Sequence, residues 1–267
     1  MRRIAVIGAG ALSKIFCQQV QKQLSKQYQI SAIMSRNIEH AHSLAKTVSA
    51  QPCTAIDQLL STKPDIVVEF ASREAVAEYG ETILKTGCDL VVISVGALSN
   101  QALKNRLETA AKDANRKIYV PNGAVGGLDL MQTFAAMGPC KVEIQNTKAP
   151  KSLSGAPYLK NKVLSDTEAE ILFEGDVATA INGFPKNVNV AVASALASES
   201  MDTAIVRVKS DPKTTRNTHS IRLTNDLMQA QLTVSSRPDP ANPKSSTSTA
   251  YSVVALLKNI ANPIVLF

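Results

Sequence analysis

Three places in this chain carry residues whose types and spacing could do chemistry. The first is Gly8-Ala9-Gly10-Ala11-Leu12-Ser13, at the end of the apolar run Arg3–Gly8. Leu12, Ile15, Phe16, Val20 and Leu24 then recur at helical spacing. Strand, glycine turn and helix form the setting in which G-x-G-x-x-G binds a dinucleotide. Gly8 permits the tight turn. Gly10 lets the backbone approach a pyrophosphate, and the N–H groups from Ala11 and Leu12 onward open a helix whose dipole favours anions. Ser13 stands at the third position, where a small residue serves close helix–strand packing. A Gly-rich βα turn with no ligand is the other reading. The second place is Met34-Ser35-Arg36-Asn37, where the next strand ends. An Asp or Glu there holds the ribose hydroxyl of NAD, whereas an Arg accommodates the 2′-phosphate of NADP. No carboxylate is present; Ser35 and Arg36 offer a hydroxyl and a forked cation, which favours NADP over NAD. Arg36 as a solvated helix-start residue is the alternative. The third place is His219, on the same strand face as Ile221 and Leu223. It reads either as a core histidine or as a general acid/base.

Other segments are weaker. Asn122-Gly123-Ala124-Val125-Gly126-Gly127-Leu128-Asp129 is a small-residue stretch after a strand, where a flat ring such as nicotinamide can come close, or simply a loop leading into a helix. Asn189, near the start of an Ala-rich helix, reads as a cap or as an amide donor to a ligand. His40 and His42 fall on a predicted surface helix. There is no nucleophile elbow, no HExxH and no close cysteine pair, so triad and metal chemistry have little support.

The elements that position these residues alternate. Strands are expected at Gln29–Met34, Asp65–Phe70, Leu90–Ser94 and Lys117–Val120. Helices are expected at Ile38–Ser49, Ala75–Lys85 and Asn100–Arg116. That rhythm implies parallel βαβ units in a doubly wound sheet. Beyond Pro121 the character changes. Lys141–Lys148, Ala204–Lys209, His219–Thr224 and Met228–Ser235 alternate with period two, and the last three suggest antiparallel strands. Pro150–Pro157 reads as a loop. A final helix, Thr249–Asn259, has a broad apolar face and is expected to pack onto the first helix.

Composition bounds the rest. With 267 residues, 45% of them hydrophobic and 19% charged, the chain is an ordinary globular one of about two domains. The formal net charge of +7 is spread along the chain, aromatics are 4% and Trp is absent, which argues against a base-stacking nucleic-acid platform. No apolar run approaches the length of a membrane span. Met1-Arg2-Arg3 followed by apolar residues imitates an export signal, but the glycines favour a strand feeding a loop. Cys17, Cys53, Cys88 and Cys140 read as reduced, mostly buried thiols of a cytosolic protein.

Taken in order, these segments resemble the L-aspartate dehydrogenase family. The resemblance runs through Val6-Ile-Gly-Ala-Gly10, Asp65-Ile-Val-Val-Glu-Phe-Ala-Ser72, Ile93-Ser-Val-Gly-Ala-Leu98, Val120–Asp129, Leu172-Phe-Glu-Gly175, Phe184–Val190, Asn217-Thr-His219 and Asn242-Pro-Lys-Ser-Ser246, and so spans nearly the whole chain. It implies a Rossmann-type doubly wound parallel sheet, residues 1–122 plus 241–267, with an inserted α+β mixed-sheet domain, 123–240, for substrate and dimerisation. It implies an enzyme that oxidises L-aspartate to iminoaspartate with NAD or NADP, in the cytoplasm and as a homodimer. By position, Ala124 and Asn189 match cofactor-contacting residues of the family and His219 matches its catalytic histidine. The chain departs from the family at Ser13, at Ser198-Glu199-Ser200 where a Gly is usual, at Ser245 where Thr is usual, and at Asn225–Met228 where glycines are often found.

Such a reaction needs a neutral amine, hence a base, for which His219 is the candidate. The substrate's two carboxylates need cations, and Lys148, Arg216 and Lys244 are candidates. A related amino-acid dehydrogenase or imine reductase, and a dinucleotide-binding sensor without turnover, stay open as alternatives at this point.

Overall fold

The structure, a computed structural model, describes residues 1–160, 162–185, 189–237 and 246–266. The chain divides into two compact units, Met1–Pro121 with Thr249–Leu266, and Asn122–Ser248. The expected second crossing, between 240 and 241, lies outside the described residues.

In the first unit β1 (Arg2–Ile7), β2 (Tyr28–Met34), β3 (Gln51–Cys53), β4 (Ile66–Glu69), β5 (Asp89–Val92) and β6 (Ile118–Tyr119) form a parallel sheet in the order β3-β2-β1-β4-β5-β6. Chain order reverses between β1 and β4, so the loops after those strands flank the switch point where such sheets bind ligands. Ile4–Ile7, Ile66–Glu69 and Asp89–Val92 are buried without interruption, as strands covered on both faces must be. The intervening helices are α1 (Ala11–Leu24), α2 (Ile38–Val48), α3 (Ile56–Ser61), α4 (Arg73–Lys85) and α5 (Gln101–Asp113). Three begin on side-chain caps: Asn37, Ser72 and Asn100 accept from Glu39 N, Ala75 N and Leu103 N. The last helix of the chain, Ser248–Ala261, sets Ala250, Val253, Val254 and Leu257 in one core with Phe16, Cys17, Val20 and Leu24 of α1.

In the second unit α6 (Leu128–Met137), β7 (Lys141–Lys148), α7 (Pro150–Leu153), β8 (Glu170–Gly175), α8 (Val177–Gly183), α9 (Asn189–Ala197), β9 (Ile205–Ser210), β10 (Asn217–Thr224) and β11 (Gln229–Ser236) follow, and the Ser248–Ala261 helix is α10. The sheet order is β11-β10-β7-β9-β8. It is mixed: β7 and β9 run parallel and the other neighbours antiparallel. α9 packs against β7, α6 and α8. It is buried from Val190 to Ala195, which fits its lack of a polar face.

The structure differs from the expected elements at three points. β3 and α3 were not legible, because β3 is a three-residue edge strand containing Pro52, which cannot donate to a ladder and is tolerated at an edge. β9, β10 and β11 alternate in direction as expected, but β9 is not hydrogen-bonded to β10, because β7 lies between them. Pro150–Leu153 is a helical turn with Pro150 at its start, a position that suits proline.

Candidate active site

The glycine loop of the first unit is shaped for close approach. Gly8 has φ 105°, and a Cβ there would sit 3.0 Å from the Phe70 carbonyl at the end of β4. Only glycine fits that backbone, and it lets β1 and β4 close on one another. Gly10 is different: a Cβ at this position meets nothing within 4 Å. Gly10 caps α1 without a side-chain hydrogen bond, and the first turn carries no acidic residue. Backbone N–H groups at a helix N-terminus with open space above a glycine and no competing carboxylate fit the pyrophosphate of a dinucleotide. Ala11 and Leu12, half-buried, form that first turn. Ser13 is fully buried, and its hydroxyl has no hydrogen-bond partner among the described residues.

Ser35 and Arg36 follow β2. The Ser35 hydroxyl accepts from Asn37 N at 3.3 Å, and Arg36 is exposed. The Arg36 charge reaches Glu74 in the first turn of α4 and is one of the lesser influences that hold its carboxyl low, behind the Ser72 hydrogen bond.

A carboxylate with no role assigned by the sequence reading lies at the end of β4. Glu69 is 1% exposed. Its Oε1 accepts from Ala71 N (2.6 Å) and Ser94 Oγ (2.9 Å), and its Oε2 from Ser94 N (2.9 Å) and Ile93 N (3.3 Å). Burial pushes the carboxyl above the usual range while these four donors pull it down. Glu69 thereby ties the loop after β4 to the loop after β5. Its sequence signal was a charged residue inside the otherwise buried run Asp65–Phe70.

In the second unit His219 is buried, 4% exposed, and faces Asn146 across the β10–β7 pairing. His219 Nδ1 lies 2.6 Å from Asn146 Oδ1. An amide oxygen only accepts, so Nδ1 carries the proton and Nε2 keeps its lone pair. Burial and the positive charge of Lys148 push the imidazole down to about 3, which keeps it neutral at physiological pH. Lys148, the last residue of β7, is itself 3% exposed, and burial pushes its ammonium down to about 8. Asn146 was missed in the sequence. The signal was there, since Val142, Ile144, Asn146 and Lys148 share the buried phase of β7 and two of them are polar.

The other expected residues are placed as follows. Ala124 is half-buried in the loop before α6, between Gly123 and Gly127, both left-handed. The Gly123 carbonyl accepts from Ser248 Oγ at 3.2 Å, which ties this loop to the end of the unit. Asn189 is the first residue of α9 itself rather than the residue before it. Arg216 is exposed in the turn before β10, while Lys244 lies outside the described residues. Of the three candidate cations, Lys148 is the one seen close to His219. His40 and His42 are exposed on α2. Cys17, Cys53 and Cys88 are buried, Cys140 is half-buried, and all four are free thiols. Among the described residues no acidic, histidine or cysteine cluster could hold a metal, and no helix is long and apolar enough to cross a membrane.

A doubly wound sheet with a glycine loop at its switch point, followed by a mixed sheet holding a buried neutral histidine, defines an oxidoreductase that uses a nicotinamide dinucleotide. Comparison with known proteins narrows the class. Residues 129–260 match the family described as aspartate dehydrogenase, C-terminal. Residues 8–121 match the NAD binding domain of homoserine dehydrogenase. The chain is 34% identical to the L-aspartate dehydrogenase of Methanocaldococcus jannaschii, over 99% of this chain and 98% of that protein. It is 35% identical to the L-aspartate dehydrogenase of Methanosarcina mazei, with the same coverage of both. The fold matches the crystal structure of aspartate dehydrogenase from Thermotoga maritima with a TM-score of 0.78 at 24% identity, covering 100% of both chains. The chain belongs to the L-aspartate dehydrogenase family.

Proposed function

We propose that this enzyme oxidises L-aspartate to iminoaspartate, which water converts to oxaloacetate and ammonia, with His219 as the base and the loop Gly8–Leu12 as the seat of the dinucleotide. The observation that carries the reading is the buried His219–Asn146 pair, which leaves Nε2 unprotonated. A substrate ammonium has no lone pair with which to form the imine as hydride leaves Cα. His219 Nε2 takes one ammonium proton and so restores that lone pair. Asn146 Oδ1 holds the tautomer and receives the Nδ1–H of the imidazolium that forms. An imidazole near 3 is by itself a weak base. The substrate's carboxylates beside Lys148 offset the lysine's charge and raise the imidazole's affinity for a proton. The dinucleotide, when bound, supplies the hydride acceptor at its nicotinamide ring.

Gly8, Gly10, Ala11 and Leu12 would hold the pyrophosphate, and Ser35 and Arg36 the ribose end. The absence of a carboxylate after β2 supports NADP over NAD. Ala124 and Asn189, matched through the family, would approach the nicotinamide end. A cytoplasmic homodimer belongs to the same reading; light scattering of the purified chain at twice the monomer mass tests the assembly.

The test is the initial rate of reduced-cofactor absorbance with L-aspartate and each of NAD and NADP, run beside His219→Ala and Arg36→Ala. His219→Ala lowers kcat about a thousandfold while cofactor binding is kept. Arg36→Ala weakens NADP about tenfold with NAD little changed. Cofactor binding without turnover of aspartate, or of oxaloacetate with ammonia in reverse, would sink the reading.

A further inference from the structure

The covered face of the second sheet changes character along its strands. Residues directly opposite one another on paired strands share a face, so the register sorts the side chains into rows across the sheet. One row is apolar, with Ile221, Ile144 and Val206 on β10, β7 and β9. The next carries His219 on β10 and Asn146 on β7, flanked by Val234 on β11 and Val208 on β9. At the carboxyl end of β7, Lys148 lies opposite Ser210 on β9, and Asn217, one residue beyond the Thr218–Thr147 pair, lies opposite Ser236 on β11. Asn217, Lys148 and Ser210 are each 3% exposed or less.

Buried polar groups are almost always partnered. Here Asn146 Nδ2, Ser210 Oγ and Ser236 Oγ have no hydrogen-bond partner among the described residues, and neither does Ser194 Oγ on α9, which packs against β7. Three of these orphaned atoms, those of Asn146, Ser210 and Ser236, lie in these two rows. An amide N–H and hydroxyl groups are donors, and Lys148 adds a buried positive charge. A carboxylate is acceptor-only, with room for about four hydrogen bonds, and is the ligand chemistry that such a set completes. Neighbouring rows are ~7 Å apart along a strand, so one small substrate can meet Lys148 and His219 together.

We propose that Lys148, with Asn146, Asn217, Ser210 and Ser236, binds a carboxylate of the substrate and thereby selects a dicarboxylic amino acid. The row acts on binding, whereas His219 acts on the proton. The inference rests on the dehydrogenase reading for the identity of the substrate, but the recognition of a dicarboxylate can be measured without turnover.

The probe is succinate, which keeps both carboxylates and lacks the amine. Its binding to the wild-type enzyme is followed by thermal shift in the presence of NADH and by competition with L-aspartate. Lys148→Met should raise the succinate Ki and the aspartate KM together, by about 100-fold. Ser210→Ala and Ser236→Ala should raise both about fivefold and leave kcat and the NADH Kd unchanged. Where Lys148→Met does not fold, as judged by circular dichroism, the two serine variants carry the test. Folded variants that keep the wild-type succinate Ki, or a wild-type enzyme that binds butyrate as tightly as succinate, would overturn the proposal. Loss of succinate binding in the variants, with no aspartate turnover in the wild type, would uphold the dicarboxylate row and sink the dehydrogenase reading alone.

Discussion

The glycine loop after β1 presents backbone, while the polar end of the second sheet presents side chains. At the loop, Gly10 leaves open space above its Cα and α1 starts without a side-chain cap, so what faces a ligand is N–H groups and the helix dipole. At the sheet end, His219, Asn146 and Lys148 bring a lone pair, an amide and a charge below the surface. A pyrophosphate is the same on every dinucleotide, and a backbone cradle suffices for it. Discrimination between amino acids needs groups that differ in charge and proton affinity, which only side chains provide. On the proposed reading, the first region holds the cofactor and the second chooses and reacts with the substrate.

The strongest test of that separation is a crossed pair of variants. Gly10→Val places atoms in space the protein leaves empty, at a φ of −81° that any residue tolerates. It should leave the melting temperature unchanged and weaken NADH binding about tenfold to a hundredfold. His219→Ala should do the reverse, sparing the NADH Kd and removing turnover. If Gly10→Val binds NADH normally, the open space above the loop is not where the dinucleotide lies. Gly8→Ala is the internal control. Its Cβ strikes the Phe70 backbone at a left-handed φ, so it lowers stability by ~1–3 kcal/mol before any ligand is added.

A smaller effect comes from titration. The folded imidazole of His219 binds a proton near 3, the unfolded one near 6.5. Its contribution to stability is therefore present above about 6.5 and is lost as pH falls toward about 3. Lys148 acts in another window. Its ammonium binds a proton near 8 when folded and near 10.5 when unfolded, so its cost is absent above about 10.5 and full below about 8. Denaturant titrations of His219→Gln should lose the imidazole's share of the acid slope between pH 6.5 and 3, leaving the carboxylates' share, and keep the alkaline slope. An unchanged acid slope would show that the imidazole is not held neutral. Nothing comparable is expected from the glycine loop, which has no titrating group.

The same contrast governs what could be read from the chain before it was seen folded. The loop was legible because Gly8, Gly10 and the helical spacing after them lie within a few residues, and local geometry is written locally. Ser35 and Arg36 followed from where β2 ends. His219 was visible as a residue, but its role was not, because Asn146 stands 73 positions away and meets it only through the β10–β7 register. Two period-two segments reveal which residues share a face, not which strands are neighbours, and that is why β7 between β9 and β10 escaped the reading. The polar row at the end of the sheet is a property of four strands at once. Glu69 was hidden for a different reason: a carboxylate inside a buried strand looks like an edge residue until the donors of the β5 loop are seen to converge on it.

The smallest effect lies at the far end of α9, at Ser198-Glu199-Ser200. Glu199 is exposed and left-handed, with φ 51°, and Ser200 N returns to Ala195 O at 2.8 Å. This is the helix-ending turn that glycine normally occupies, because a Cβ crowds the following carbonyl in that conformation. Glu199→Gly should relieve that crowding and raise stability by about 1 kcal/mol, less the greater freedom glycine gains when unfolded. The melting temperature should rise by a few degrees at most, while kcat, the aspartate KM and the NADH Kd stay at wild-type values. A fall in melting temperature would mean that the glutamate side chain stabilises the turn by more than its backbone costs. A change in aspartate KM would mean that the end of α9 reaches the substrate row, and that the separation between holding and choosing extends further along this helix than Ser194.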